Sequence, residues 1–346
     1  MPASVSISEA IRVLEHETGI VITVYFRQDA DREWSAQLLR ETVTMFRREV
    51  ADPSAICLSA DGPGVGVEIA RQVAAEFNTD VVFSERNRGK FAAVQNGMQR
   101  LLKKRSLRYF VAVDQDGDHF ANELLNFVRT AQHVSEHTGD ERVVVLGERL
   151  SRHRGLGLLR GEQEELADRI LLDALQYHAA VSGTPLNLSF IHTVDGVPDF
   201  HAGYKLFSRP TAEDVFLSAP QLAGCSEDAY YRHACEAVMT VEALLHGATL
   251  AALNRRTYDE QPVSVFASFN LTQLTADLIL WPCKRLQVPA VFVEQWLANH
   301  MPQLLLGTLS PQGRDELLAI RDLVLEGYGL PADAARPAEI VRPRFI

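Results

Sequence analysis

The chain has 346 residues, of which 47% are hydrophobic and 23% charged, so it can bury a full core and is no disordered polymer. A formal net charge of −11 argues against a general nucleic-acid binder, which needs a basic face, though it leaves room for a local basic pocket. The N-terminus carries Glu9, Glu15 and Glu17 without an apolar core, unlike a secretory signal, and no run is apolar over the ~18 residues a membrane span needs. Cys57, Cys225, Cys235 and Cys283 lack metal-ligand spacing and read as reduced thiols of a cytoplasmic protein.

Residues 6–18 carry Ile7, Ile11 and Leu14 at helical spacing, and a strand is predicted over Gly19 to Phe26. A helix over Ser35 to Val50 follows, then a strand over Ala55 to Ser59 that ends in Ala60-Asp61-Gly62-Pro63. The next helix carries Val65, Ile69, Val73 and Phe77. A third strand covers Asp80 to Ser84, and a helix runs from Lys90 to Lys104. Tyr109 to Val113 is an uninterrupted apolar run that passes directly into Asp114-Gln115-Asp116-Gly117-Asp118-His119. A strand covered on both faces looks like this, because it needs no alternation. A helix over Asn122 to His137 and a fifth strand over Arg142 to Gly147 complete an alternation that predicts a parallel, doubly wound sheet.

A basic loop with Arg149, Arg152, His153, Arg154 and Arg160 leads into a helix over Glu162 to Val181. Residues 183–220 are turn-rich, residues 226–246 helical, and Thr249 to Leu253 reads as a strand. These signals divide the chain into a sheet domain, 1–262, and a helical region, 263–346, with a proline-rich tail from Pro331. Trp281, Phe292 and Trp296 in that second region are either core residues or the surface of a homodimer.

The carboxyl rim of a parallel sheet is where ligands bind. Asp114 and Asp116 alternate, so an extended backbone points both the same way. Two converging carboxylates call for a hard divalent cation, Mg²⁺ or Mn²⁺, or else form an acidic turn. Asp61 at the same rim is either a contact to a nucleobase or ribose, or a helix cap. The stretch Asn87-Arg88-Gly89-Lys90 joins a flexible glycine and cations to a helix N-terminus, a place that favours phosphate.

Asn87-x-Gly89-Lys90 followed by Ala93-x-x-Asn96-Gly97 resembles the signature of family 2 glycosyltransferases with the GT-A fold. In order of motifs the chain is most similar to the polyprenyl-phosphate mannose and glucose synthases. Val144-Val145-Leu146-Gly147-Glu148-Arg149, Asp199 to Arg209 and Glu242 to Asn254 resemble further segments of that family, so the likeness spans residues 19–260. It departs at Val24-Tyr25-Phe26-Arg27-Gln28 and at Pro63, where the family has a different strand ending and a serine.

The resemblance implies an α/β, GT-A-like protein: a mostly parallel sheet flanked by helices, with a C-terminal helical extension. It implies transfer of a sugar from a nucleotide-diphosphate donor to a phosphate- or hydroxyl-bearing acceptor. Asp114 and Asp116 would hold Mg²⁺ or Mn²⁺, with His233 a further ligand. Asp61, Asn87, Gly89 and Lys90 would meet the donor, and Arg149 and Arg209 a phosphate. Asp228, beside Glu227, would be the base for a hydroxyl acceptor, the alternative being a helix N-terminal turn. A sugar-phosphate nucleotidyltransferase is the competing enzyme, but it opens on a glycine-rich loop that Arg27 to Trp34 lacks. An inactive binding module is the third reading.

Overall fold

A computed structural model describes residues 6–192, 196–258 and 270–331. In chain order the elements are α1 (Ile7–Glu17), β1 (Thr18–Val24), α2 (Arg32–Arg47), β2 (Ile56–Ala60), α3 (Val65–Phe77), β3 (Asp80–Phe83), α4 (Lys90–Leu102), β4 (Tyr109–Asp114), α5 (Leu124–Thr138) and β5 (Val143–Arg149). Then come α6 (Arg152–Leu156), α7 (Leu158–Ser182), β6 (Lys205–Ser208), α8 (Arg209–Phe216), a single π turn (Ala229–His233), α9 (Cys235–Leu245) and β7 (Thr249–Arg255). The last helices are α10 (Leu271–Arg285), α11 (Ala290–His300), α12 (Leu306–Leu309) and α13 (Gly313–Gly327).

The chain falls into two compact units. The first takes Met1–Leu150, Asn187–Pro220 and Val238–Tyr258, and the second takes Ser151–Leu186, Gln221–Ala237 and Asp259–Ile346. Segments 151–186 and 221–237, read from sequence as part of the sheet domain, thus belong with the C-terminal helices. The reason is their partners: α10 packs on α7 and on the π turn, and α13 packs on α10. The proline-rich tail beyond Pro331 lies outside the described residues.

The first unit is built on a seven-stranded sheet of order β3-β2-β1-β4-β6-β5-β7. Strands β3, β2, β1 and β4 are parallel neighbours, β6 runs antiparallel to both β4 and β5, and β7 is parallel to β5. This is the expected α/β class, a mostly parallel sheet flanked by helices. The reversed strand is the one the sequence left inside a turn-rich stretch. Four residues, Lys-Leu-Phe-Ser, give too short a pattern to separate from a turn.

The fully buried Ile20–Ile22 and Phe110–Val111 explain the uninterrupted apolar strands. Helix α4 packs on β1 and β2 at Gly97, where a Cβ would lie 2.4 Å from Val21 Cγ1 and 3.3 Å from Ser59 Cβ. The second unit has its own core. Trp281 is fully buried and donates Nε1–H to Gln221 O, and Trp296 donates to the Asp173 carboxylate. Phe292 lies against Tyr177, ring centroids 5.1 Å apart. The two tryptophans are therefore interior, not a dimer surface. No described helix is long and apolar enough to cross a membrane.

Candidate functional site

Strand order decides where a ligand can sit. From β1 the chain winds outward to β2 and β3, then returns to lay β4 on the other side of β1. The carboxyl ends of β1 and β4 therefore flank the point where the winding reverses, the place at which open α/β sheets leave a crevice. Asp114 is the last residue of β4 and pairs in register with Thr23 of β1. Gln115 carries the β1–β4 connection one residue further with its side chain, accepting from Tyr25 N–H at 2.5 Å and donating to Tyr25 O.

Asp114 is not alone. Both its oxygens meet the Lys90 ammonium, at 2.8 and 2.9 Å, and Lys90 is the first residue of α4. The two side chains are each about 30% exposed, at 29% and 30%. Behind them sits Gly203: a Cβ there would lie 2.9 Å from Asp114 Oδ2, 3.0 Å from Lys90 Nζ and 3.2 Å from His119 Cε1. The ring of His119 closes the same inner side. Its Nδ1 accepts the Asp114 backbone N–H at 2.9 Å, its Nε2 is 3.9 Å from Asp114 Oδ2, and it stacks on Tyr204. A ring nitrogen that accepts a backbone N–H carries no proton, and burial together with Arg255 pushes His119 well below the usual histidine range. The imidazole is neutral.

The two aspartates differ sharply. Burial opposes ionisation of Asp114, but Lys90 and the other positive groups around it, Arg255 among them, together hold the carboxyl well below the usual carboxylate range. Asp116 is buried beside that charge and accepts a 3.2 Å hydrogen bond from Asp118 N–H. Burial first, and the Asp114 charge second, push Asp116 up to about 7. Asp118 faces elsewhere. It accepts from Arg255 at 3.2 Å and from Tyr258 N–H at 2.7 Å, so it ties the β4–α5 connection to the end of β7.

Asp61 occupies the end of β2 and accepts backbone N–H groups from Arg88 at 3.0 Å and Gly89 at 2.6 Å. It thereby fixes the loop that enters α4, and with it the position of Lys90. Gly89 has φ +119°, a conformation that L side chains rarely adopt, and Gly62 opposite it has φ +82° with the Asn87 backbone 2.6 Å from where a Cβ would be. The Oδ1 of Asn87 is shielded from water and has no hydrogen-bond partner among the described residues.

The remaining expected residues divide. Arg149, at the end of β5 on the same rim, is locked to Asp199 by Nε (2.7 Å) and Nη2 (2.6 Å). Arg209 does not share this rim. It follows the antiparallel β6, whose Ser208 pairs with Tyr109, the first residue of β4. Its guanidinium bonds the carbonyls of Leu102, the last residue of α4, and of Lys104 and Leu107 in the connection to β4. The phosphate role read for Arg209 is therefore corrected: the reversal of β6 carries it to the opposite edge. The reversal brings Lys205 to the rim instead, fully buried and bonded to Phe200 O and Ala202 O, an assignment no local signal in the sequence marks.

Asp228 and His233 belong to the second unit. Asp228 is exposed and paired with Arg232, and His233 Nδ1 lies 2.6 Å from the buried Asp277 carboxylate. Among the described residues, three potential metal ligands gather within 4.8 Å of one another at His153, Glu162 and Glu165, in the second unit. Those groups already serve one another and the chain: His153 Nε2 meets Glu162 at 3.0 Å, Glu162 accepts from Leu305 N–H, and Glu165 pairs with Arg169.

For a hard divalent cation, the donors at the β4 rim are chemically suitable: Asp114 and Asp116 are oxygen ligands two residues apart, the ligand type Mg²⁺ and Mn²⁺ take.

No protein-family model matches this chain, and no curated protein does. Among solved structures it is similar to a protein described only as mycobacterial, with 15% identity and a TM-score of 0.48 over 82% of this chain and 80% of that one. It is also similar to residues 1–349 of S. aureus TarS (14% identity, TM-score 0.42, 90% and 91% covered). A third is a 4-diphosphocytidyl-2C-methyl-D-erythritol synthase from Anaerococcus prevotii (10% identity, TM-score 0.39, 81% and 99% covered). Likenesses this loose name no family and decide no activity.

Proposed function

We propose that the chain is a glycosyltransferase that moves a sugar from a nucleotide-diphosphate donor to an acceptor bearing a phosphate or a hydroxyl. One observation carries this reading. An aspartate pair stands at the point where strand order reverses, with the Lys90 ammonium supplied from a helix N-terminus directly onto Asp114. Open parallel sheets bind ligands at that point, and helix N-termini and lysine favour the charge of a diphosphate. Mg²⁺ or Mn²⁺ held by Asp114 and Asp116 would neutralise charge on the departing diphosphate.

The chain's own residues supply the rest. Asp61 holds the amides of Arg88 and Gly89, so the turn into α4 is set before any ligand arrives. In the same frame Asn87 keeps an unused acceptor for a donor N–H or hydroxyl. Arg149 is oriented by Asp199, a buried carboxylate. A phosphate acceptor arrives ionised and needs no strong base. A hydroxyl acceptor needs one. The β1–α2 connection offers no glycine from Arg27 to Trp34, and an Arg27–Asp29 ion pair fills part of it, which counts against a nucleotidyltransferase phosphate loop.

The test is a thermal-shift panel of UDP-, GDP- and ADP-sugars and nucleoside triphosphates, with and without Mn²⁺. Stabilisation by one nucleotide-sugar class, dependent on Mn²⁺ and lost in Asp116→Ala, is the expected result. A shift with triphosphates alone would replace the transferase by a nucleotidyltransferase, and silence across the panel would leave a binding module.

A further inference from the structure

We infer that Lys90 is a built-in competitor of the divalent cation: its ammonium occupies Asp114 until a diphosphate draws it away, so metal and donor bind as a coupled pair. This rests on the transferase reading and specifies how that site is controlled.

The geometry is specific. Lys90 Nζ is nearly equidistant from the two Asp114 oxygens, at 2.8 and 2.9 Å, and so lies in front of the carboxylate, where a cation would lie. Two cations cannot share that position without strong repulsion. The buried His119 ring lies against the pair, and a Cβ at Gly203 would lie 2.9 Å from Asp114 Oδ2 and 3.0 Å from Lys90 Nζ, so a side chain there would crowd both. Both side chains keep nearly a third of their surface in water, so the ammonium is reachable from solvent and can move away from Asp114 into it. Lysine suits such a transfer, being a point charge on a flexible four-carbon stem. Asp61 pins the backbone immediately before it, so only the stem has to move.

Two consequences separate this device from a plain salt bridge. Metal alone should bind poorly, because it must first displace Lys90 and strand a cation. Diphosphate, by engaging the ammonium, should vacate Asp114 and raise metal affinity, and the reverse must hold by linkage.

Full-length wild type, Lys90→Gln and Asp114→Asn are titrated with Mn²⁺, free ion being read by electron paramagnetic resonance, in the absence and presence of UDP or GDP. Nucleotide affinity is measured separately by calorimetry. Lys90→Gln should bind Mn²⁺ alone about tenfold more tightly than wild type, bind the diphosphate more weakly, and show a smaller mutual enhancement of the two. Lys90→Arg, which keeps the charge, should bind Mn²⁺ alone as poorly as wild type, and Lys90→Met takes the place of the glutamine variant should that one fail to fold. If Lys90→Gln binds Mn²⁺ no better than wild type while Asp114→Asn loses it, the competitor role is overturned and the metal site stands. If no form takes up Mn²⁺ or either diphosphate, the transferase reading falls, and this inference with it.

Discussion

Asp116 shows how strongly burial, with a charged neighbour, can govern one carboxyl. Burial and the Asp114 charge raise it to about 7, against an ordinary value of 3.8 that the unfolded chain retains. Between those values the folded protein holds an Asp116 proton that the unfolded chain has lost, so this group's contribution to stability falls as pH rises from about 4 to about 7 and is level outside that window. Asp116→Asn removes the titration. The variant should therefore gain on wild type across that interval, by on the order of 1–3 kcal/mol at pH 8, read from urea unfolding at pH 5 and pH 8 without metal. A stability gap that does not change with pH would show Asp116 to be ionised throughout. Mn²⁺ should narrow the gap by binding the ionised wild-type pair, an effect the asparagine cannot reproduce.

At the scale of elements, α4 is the piece that delivers the cation to the carboxylate. Its start is set by Asp61 through the amides of Arg88 and Gly89, and its height above the sheet is set by Gly97 against Val21. A methyl at position 97 would sit 2.4 Å from Val21 Cγ1, and Val21 belongs to a central strand with nowhere to go. Gly97→Ala should therefore destabilise the fold by about 1–3 kcal/mol despite alanine's better helix propensity. It should also weaken diphosphate binding, because tilting α4 moves Lys90. Chemical unfolding and calorimetry on one preparation check both, and an unchanged midpoint would mean that the helix and sheet have slack between them.

The whole sheet separates residues that sequence alone would group. Arg209 lies five residues beyond Tyr204, which stacks on His119, yet the antiparallel course of β6 carries it to the far edge. There its guanidinium takes the Leu102 carbonyl at the end of α4, cationic support at the negative end of a helix, and the Lys104 and Leu107 carbonyls of the connection that follows. Arg209→Ala should cost about 2–3 kcal/mol of stability, since it strands buried carbonyls, while nucleotide affinity stays within twofold of wild type. A large loss of affinity at unchanged stability would return Arg209 to the binding rim.

The sequence by itself determined the alternation of strands and helices in the first 150 residues, because buried parallel strands and amphipathic helices leave distinct apolar periods. It also marked the ends of those strands, where Asp61, the Asn87–Lys90 run and Asp114–Asp116 interrupt the apolar pattern. Three things were decided only by tertiary structure. Pairing reversed the four-residue strand Lys205–Ser208 and so exchanged Arg209 for Lys205 at the rim. Packing of α7 and α10 drew residues 151–186 and 221–237 into the second unit. Long-range contact placed Lys90 on Asp114 and Gly203 behind both. Each depends on contacts between residues far apart in the chain, and local periodicity holds no record of which distant segment will lie alongside.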